Sequence, residues 1–306
     1  MAGLILVAGE ALIDLVPGSP AADALAAHPG GAAFNAARTI GRLEQPVAYL
    51  GRMSRDRFGR RLEELLAEDG VRLDAIVRTE EPTTLALVDV DSHGVARYRF
   101  YTERTAATGL TPEDALAARP DDVSIVHAGT LALLLEPVAS ALEAVLERLS
   151  DHAMVMLDPN IRPDAVGNAD AYRARLARLL AMSHVVKVSE EDLDWLAPGR
   201  RSVDAVREML DGGPSLGLLT RGSSGAVVIT RTAEVAVPSP PTKVVDTIGA
   251  GDEFGGGFVA WWHAHGRSRD DLGNVDDAVE ATAFACLVGA RTCARAGASP
   301  PRRPQR

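Results

Sequence analysis

Short apolar runs alternate with amphipathic stretches along this chain. LILVAG (residues 4–9) and VAYLG (47–51) read as strands ending in glycine, with the helical pattern AAFNAARTIGRLEQ between them. RFGRRLEELLAEDG follows as an amphipathic helix, with Leu62, Leu65 and Leu66 on one side and Gly70 as its stop. Residues 84–101, TLALVDVDSHGVARYRFY, then break the alternation: two β-type runs flank turn residues 91–94 and predict a hairpin. Beyond it, VSIVHAG, AMVMLDPN and HVVKVS predict strands, and EPVASALEAVLERL, AYRARLARLLAMS and SVDAVREMLDGG predict helices. LGLLT and AVVIT bracket a glycine-rich turn at 221–225. A further strand is expected to end near Val245, and the last two helices fall around 254–265 and 276–292. Residues 300–306 read as a frayed Pro/Arg-rich tail.

Buried strands alternating with helices predict an α/β fold, a doubly wound and mainly parallel sheet covered by helices on both faces. A chain of 306 residues without internal repeats or low-complexity linkers fits a single domain over 1–306. Its 46% hydrophobic and 24% charged residues contain no apolar run able to span a bilayer, so no membrane partner is expected. The N-terminus lacks a basic leader and meets acids at Glu10 and Asp14, which places the protein in the cytoplasm. A net charge of −10 excludes nucleic acid as a partner, because that binding is dominated by neutralising phosphates. Cys286 and Cys293 sit about two helical turns apart, too far for a disulfide. The scattered histidines offer no zinc-ligand spacing.

The densest chemical signal is DTIGAGDEFGGGF, residues 246–258, with five glycines in thirteen residues. It lies at the start of a helix, where free N–H groups and the positive dipole end attract anions. Gly249, Ala250 and Gly251 are small enough for a phosphate to approach the backbone. A carboxylate at Asp252 then suits taking a proton from an attacking hydroxyl. By themselves, such glycines also make a tight bend and such an aspartate an N-cap. Three further glycines at 255–257 each cost about 1 kcal/mol in a helix, so close approach by a ligand or a packed helix is required there.

DTIGAGD resembles the C-terminal signature of the ribokinase-like (PfkB) carbohydrate kinases, and GGAAFNAARTIGRL with GRMSRDRFGRRL resembles their N-terminal signature. LDPNIR, KVSEED and TRGSSGA fall between them in the family's order, so the likeness covers nearly the whole chain. It implies transfer of the γ-phosphoryl group of ATP to a sugar hydroxyl, with Mg²⁺, on a ribokinase-like core carrying a small β-sheet lid. That lid would come from about residues 11–35 and 83–105.

Residue by residue, the resemblance makes Asp252 the base and Gly249, Ala250 and Gly251 its anion hole, with Arg162 adding positive charge near the phosphates. Asp14, Gly30, Gly31 and Asn35 would meet the sugar; taken alone, Asp14 is a solvated acid and the glycine pair a turn. Tyr101 and Arg104 in the hairpin region would add substrate contacts. Lys187, Ser189, Thr220, Gly222 and Gly225 match nucleotide-site positions, and Asp192 a Mg²⁺-organising acid one methylene shorter than usual. Asp246 and the carbonyl of Ile248 match part of a monovalent-cation site, which implies K⁺.

Ser189 stands where asparagine is frequent, and Glu253 where alanine commonly follows the aspartate. Glu253 either raises the pKa of its neighbour or points to solvent. Among acceptors the wording is nearest the fructokinase branch, so fructose comes first, 2-keto-3-deoxygluconate second, and ribose or a nucleoside after. A homodimer through the lid is a further implication. A non-catalytic sugar-binding regulator is the alternative of another class, but it is expected to have lost Asp252 or the turn before it. A dinucleotide oxidoreductase fits less well, because LVAGEAL lacks the G-x-G-x-x-G fingerprint.

Overall fold

The computed structural model describes residues 3–17, 24–90, 96–295, 297 and 300. The turn expected at 91–94 and the tail at 301–306 lie outside the described residues. β1 (Leu4–Ala8) leads into β2 (Leu12–Pro17), β3 (Leu25–Gly30), α1 (Ala32–Arg42), β4 (Val47–Ser54), α2 (Arg57–Glu68) and β5 (Ile76–Thr79). The hairpin follows as β6 (Leu85–Val90) and β7 (Ala96–Tyr101). Next come α3 (Pro112–Ala118), β8 (Val123–Gly129), α4 (Val138–Leu149), β9 (Met154–Asp158), α5 (Ala169–Ala181) and β10 (Val185–Ser189). The chain ends with α6 (Glu190–Leu196), α7 (Ser202–Asp211), β11 (Leu216–Thr220), β12 (Ala226–Ile229), β13 (Glu234–Val237), α8 (Ala250–Ala264) and α9 (Val275–Cys293).

Nine strands form the main sheet in the order β13-β12-β11-β10-β9-β8-β1-β4-β5. Neighbours from β11 through β5 pair parallel, and β12 and β13 close the edge antiparallel. Alternation along each strand divides the core. Ile5, Val7, Ile125, Met156 and Val185 face Phe34, Phe258 and Trp262 of α1 and α8. Leu4, Leu6, Val126 and Val155 face Leu142, Leu176 and Val206 of α4, α5 and α7. Both faces are covered, as the continuous apolar runs require. A separate four-stranded sheet, β3-β2-β6-β7, takes two strands from the chain after β1 and two from the hairpin. Leu12, Ala86 and Leu131, with Tyr98 and Phe100 against them, join it to the body.

Helix starts follow local capping chemistry. Asp56 accepts from the Gly59 N–H at the head of α2, and Asn274 from the Asp276 and Asp277 N–H groups at the head of α9. Ser189 and Asp192 form a reciprocal capping box that starts α6 directly after β10. No strand forms near Val245. Pro238, Pro240 and Pro241 lack the N–H that a ladder needs, and residues 238–249 run irregularly. The Val245 and Asp246 N–H groups instead donate to the Cys293 carbonyl, at 2.7 and 3.2 Å.

β1 has strands of rising number on either side, so the order reverses between β1 and β8. Ligands bind at such a point, beyond the carboxyl ends of the strands. Glu10 secures this edge from within: it is buried and accepts from the Ala32 N–H, the Thr130 hydroxyl and the Ala132 N–H. It thereby ties the first turn of α1 to the chain after β8. On the far side of α1, Asp69 accepts from the Nε atoms of Arg38 and Arg42, both at 2.7 Å. Asp69→Ala leaves the buried Arg38 without its carboxylate and is expected to lower unfolding free energy by about 3 kcal/mol in urea titrations. A loss below about 0.5 kcal/mol would show that this pair contributes no more than a surface one.

Candidate active site

Gly249 adopts a left-handed conformation, φ 79°, and acts as the N-cap of α8. Asp252 is therefore the third residue of the helix and not its cap, and its side chain is free for other work. The first-turn N–H groups have no acceptor within the helix, and the helix dipole adds positive potential at the same end. Two amides hold the Asp252 carboxylate: Asn35 Nδ2 donates to Oδ2 at 3.0 Å and Asn160 Nδ2 to Oδ1 at 3.2 Å. Asn160 lies in the loop after β9 with φ 38°, a region that asparagine tolerates better than most residues. Its own Oδ1 accepts from Arg162 at 2.6 Å, so Arg162, Asn160 and Asp252 form one chain of contacts. The Oδ1 atom of Asn35 is buried without a hydrogen-bond partner, an acceptor available to a ligand donor.

Asp14 on β2 belongs to the same electrostatic environment. Burial, then the charge of Asp252, push its pKa up to about 6, and Arg162 pulls the other way. Gly30 lies so close that a Cβ there would overlap Asp14 Oδ2. Gly31 has φ 105° and faces the Glu10 carbonyl, where a Cβ would come within 2.6 Å. Glycine is required at both positions by close approach.

The hairpin residues separate by strand phase. Tyr98 and Phe100 stack at 6.0 Å on one face of β7. They line a cavity of about 500 Å³ with Leu131, Leu135, Asp164 and Ala165. Burial, and then the charge of Asp14, raise the Tyr98 pKa. Tyr101, 50% exposed, falls on the opposite face. Arg104, at φ 52°, lines a different cavity with Arg52, Glu81 and Glu136. The structure therefore puts Tyr98 on the inner face of the small sheet, apart from Tyr101 and Arg104.

The expected nucleotide-side residues lie at the carboxyl ends of β10 and β11. Ser189 and Asp192 occupy each other in the capping box, and the second Asp192 oxygen accepts from the Ile161 N–H at 2.6 Å. Asp192 thus holds the loop after β9 through the protein's own donors. Thr220 ends β11, and Gly222 sits in open space in the turn that follows. Gly225, at φ 93°, lies against the Val237 carbonyl, so the fold itself requires that glycine. Lys187 is buried and donates to Asp158 at 2.8 Å. Asp246 accepts from the Ile248 and Gly297 N–H groups, joining the turn before α8 to the chain after α9.

Sequence reasoning passed over Asn160, Tyr98 and Glu10. Asn160 was readable as the amide two residues after the buried Asp158, and Tyr98 as the aromatic one strand period from Phe100. Glu253 does not point to solvent. It is fully buried, and neither carboxyl oxygen has a hydrogen-bond partner. Burial and then the charge of Asp252 push its pKa up to about 9, against Arg38, Arg42 and Arg295.

A family model described as pfkB family carbohydrate kinase matches residues 2–306. A fructokinase of Rhizobium leguminosarum bv. trifolii is 37% identical, over 84% of this chain and 79% of that protein. The crystal structure of a Xylella fastidiosa fructokinase with bound ATP superposes with a TM-score of 0.88 at 31% identity, covering 97% of this chain and 94% of that one. A double mutant of the Vibrio cholerae O395 fructokinase in its fructose, ADP and potassium ion bound form gives 0.86 at 26% identity, over 97% and 94%.

The buried Glu253 has a measurable cost. An exposed glutamate releases its proton near 4.5 whereas the folded chain keeps this one to about pH 9. The folded state therefore binds more protons between those values, and stability falls as pH rises through that window, on the order of 1 kcal/mol per pH unit. Glu253→Met removes the ionisation at similar volume. Thermal melts are expected to show a gain of about 5 °C at pH 8 that vanishes near pH 5; equal gains at both pH values would overturn this account.

Proposed function

The chain belongs to the pfkB family of carbohydrate kinases, and from that membership we propose that it transfers the γ-phosphoryl group of ATP to fructose. The observation that carries this reading is the carboxylate of Asp252, held by two neutral amides at the N-terminus of a glycine-opened helix. Neutral donors orient the carboxylate without supplying a counter-charge, which suits a general base. Asp252 takes the proton of the sugar hydroxyl as its oxygen forms a bond to the γ-phosphorus, and the bond from that phosphorus to the ADP oxygen breaks. Phosphoryl transfer asks mainly for positioning and charge stabilisation. The N–H groups of Gly249, Gly251 and Asp252 with the α8 dipole supply it, the Ala250 N–H being taken by the Thr247 carbonyl, and Arg162 adds a cation.

Asp14 and Asn35 Oδ1 accept hydrogen bonds from sugar hydroxyls, and Gly30 and Gly31 let the chain close onto Asp14 and the Glu10 carbonyl to shape that contact. We rank fructose above a sugar acid, although Arg99 lines the cavity beside Tyr98 and Arg104 lies in the other one. The fructokinase relatives support the same order. Thr220 and Gly222 take the nucleotide. Among the described residues no three His, Cys, Asp or Glu side chains gather as a metal site. Mg²⁺ enters as part of the Mg–ATP substrate, with phosphate and water oxygens around it.

Each Asp246 oxygen keeps a lone pair beyond its N–H bond. That leaves it, with the Ile248 carbonyl, able to hold the K⁺ that the Vibrio cholerae protein's description names. The small sheet acts as the lid, through which two copies pair. No helix among the described residues is long and apolar enough to cross a membrane, which agrees with work in the cytoplasm.

Coupled ADP-release assays with Mg–ATP and K⁺ are expected to show turnover on fructose above 2-keto-3-deoxygluconate, ribose and nucleosides. Asp252→Asn should keep its melting temperature and fructose binding while losing at least about 1,000-fold in kcat. Near-normal turnover in that variant removes Asp252 from the role of base. A second expectation concerns pH. Asp14 accepts best when ionised, so kcat/KM for fructose should fall about tenfold per pH unit below about pH 6, where Asp14 takes up its proton. A profile flat down to pH 5 would detach Asp14 from sugar recognition.

A further inference from the structure

Beneath the turn that opens α8 lies a row of buried polar groups on three adjacent strands. His127 is on β8, Asp158 on β9 and Lys187 on β10, all buried and all on the α8 side of the sheet. Lys187 Nζ donates to Asp158 Oδ2 at 2.8 Å, and the other Asp158 oxygen has no hydrogen-bond partner. The surrounding positions on this face are apolar, Met156 and Val185 among them. A buried ion pair in such a setting is seldom kept for stability, since packed apolar groups serve as well or better.

The glycine above the row is the second observation. Gly251 is the second residue of α8 and has an ordinary helical backbone, so its conformation does not demand glycine. A Cβ at this position would meet one atom within 4 Å, Lys187 Nζ at 3.3 Å. Glycine there leaves the ammonium immediately behind the turn while the opposite side stays open to an anion. Asp158, Asp192 and Asp252 all raise the Lys187 pKa against the effect of burial, so the lysine is charged. Burial and the charge of Lys187 hold His127 down to about 4, so the third member of the row is neutral.

We propose that Lys187 is a positioning residue for phosphoryl transfer: anchored by Asp158, it sets a positive charge behind Gly251 that stabilises the anion hole at the moment of transfer. This inference rests on the kinase reading, and it changes the part played by Lys187 from holding the nucleotide to acting through the helix turn. The charge is most needed where negative charge from three carboxylates and a transferring phosphoryl meet. It lies on the protein side of the turn, within reach of the backbone that faces the phosphate. In water such a charge is screened; under a packed helix it is not.

The test is Lys187→Met, with Asp158→Asn and the double variant beside it. Mg–ADP binding is measured by calorimetry with and without aluminium fluoride, a mimic of the transferring phosphoryl, and turnover with whichever sugar the wild type phosphorylates. Lys187→Met is expected to bind Mg–ADP within about threefold of wild type, to lose the tightening by aluminium fluoride, and to lose about 100-fold in kcat. Asp158→Asn, which keeps the ammonium, should stay within about tenfold. If Lys187→Met does not fold, the double variant removes the orphaned carboxyl and carries the same readout. Equal losses with and without aluminium fluoride would return Lys187 to ground-state nucleotide binding and overturn the proposal, as would wild-type turnover in the variant. A wild type inactive on fructose overturns the substrate reading alone, because the aluminium fluoride comparison needs no sugar.

Discussion

The structure depends on how closely α8 can be packed. Its three consecutive glycines point to three different neighbours. A Cβ at Gly255 would lie 3.1 Å from the His127 ring, one at Gly256 2.9 Å from the Ala36 carbonyl, and one at Gly257 3.2 Å from Val288. Sheet, α1 and α9 thus each press on the helix from a separate side. Each glycine costs about 1 kcal/mol against alanine, and burial of Phe258 and Trp262 on the following turn offsets that. What the close packing secures is the place of the helix N-terminus, set against the carboxyl ends of β8 and β9. A helix held one side chain further out would carry Asp252 away from both amides that orient it.

The same closeness dictates the charge arrangement. A chain with net charge −10 gathers Asp14, Asp158, Asp192 and Asp252 close enough around the start of α8 to shift one another's ionisation. Two devices make this tolerable. Asp192 and Asp252 are held by N–H, hydroxyl or amide donors, which satisfy them without adding charge. The few cations present, Lys187 and Arg162, are each tied to a specific acceptor. Glu253 has neither device: lacking donors and buried, it keeps its proton and adds no further negative charge in the neutral range.

Periodicity alone made the strand and helix alternation of the main sheet legible, because a doubly covered parallel sheet needs continuous apolar strands such as LILVAG and VSIVHAG. The glycine turn and its aspartate were legible as anion chemistry for the same local reason. Phase and long-range partners were not. Whether Tyr98 or Tyr101 faces inward depends on the register of β6 against β7, and one residue of shift exchanges the two faces. Asn160 earns its place by a contact with Asp252, 92 residues away in sequence. The strand expected before Asp246 fails because valines with high β-propensity at 244 and 245 follow three prolines that offer no donors. Glu253 was ambiguous because the helix begins at Ala250, and that boundary decides which neighbour of Asp252 turns inward.

The two acids read as the sugar's contact and its base stand on different parts of the fold. Asp252 belongs to the main body through α8, whereas Asp14 lies on β2 of the small sheet. Two apolar contacts link them, Ile13 of β2 in the core cluster with α1 and α8 and Leu12 and Ala86 against Leu131, and Glu10 ties the chain entering β2 to α1 and to the segment after β8. The Asp14 side chain is further confined by Gly30 across the β2–β3 ladder. Mutual repulsion of the two carboxylates is therefore built into the ligand-free site, and it contributes to the raised pKa of Asp14. A hydrogen-bond donor placed between them relieves that repulsion, and the charge of Arg162 already offsets part of it.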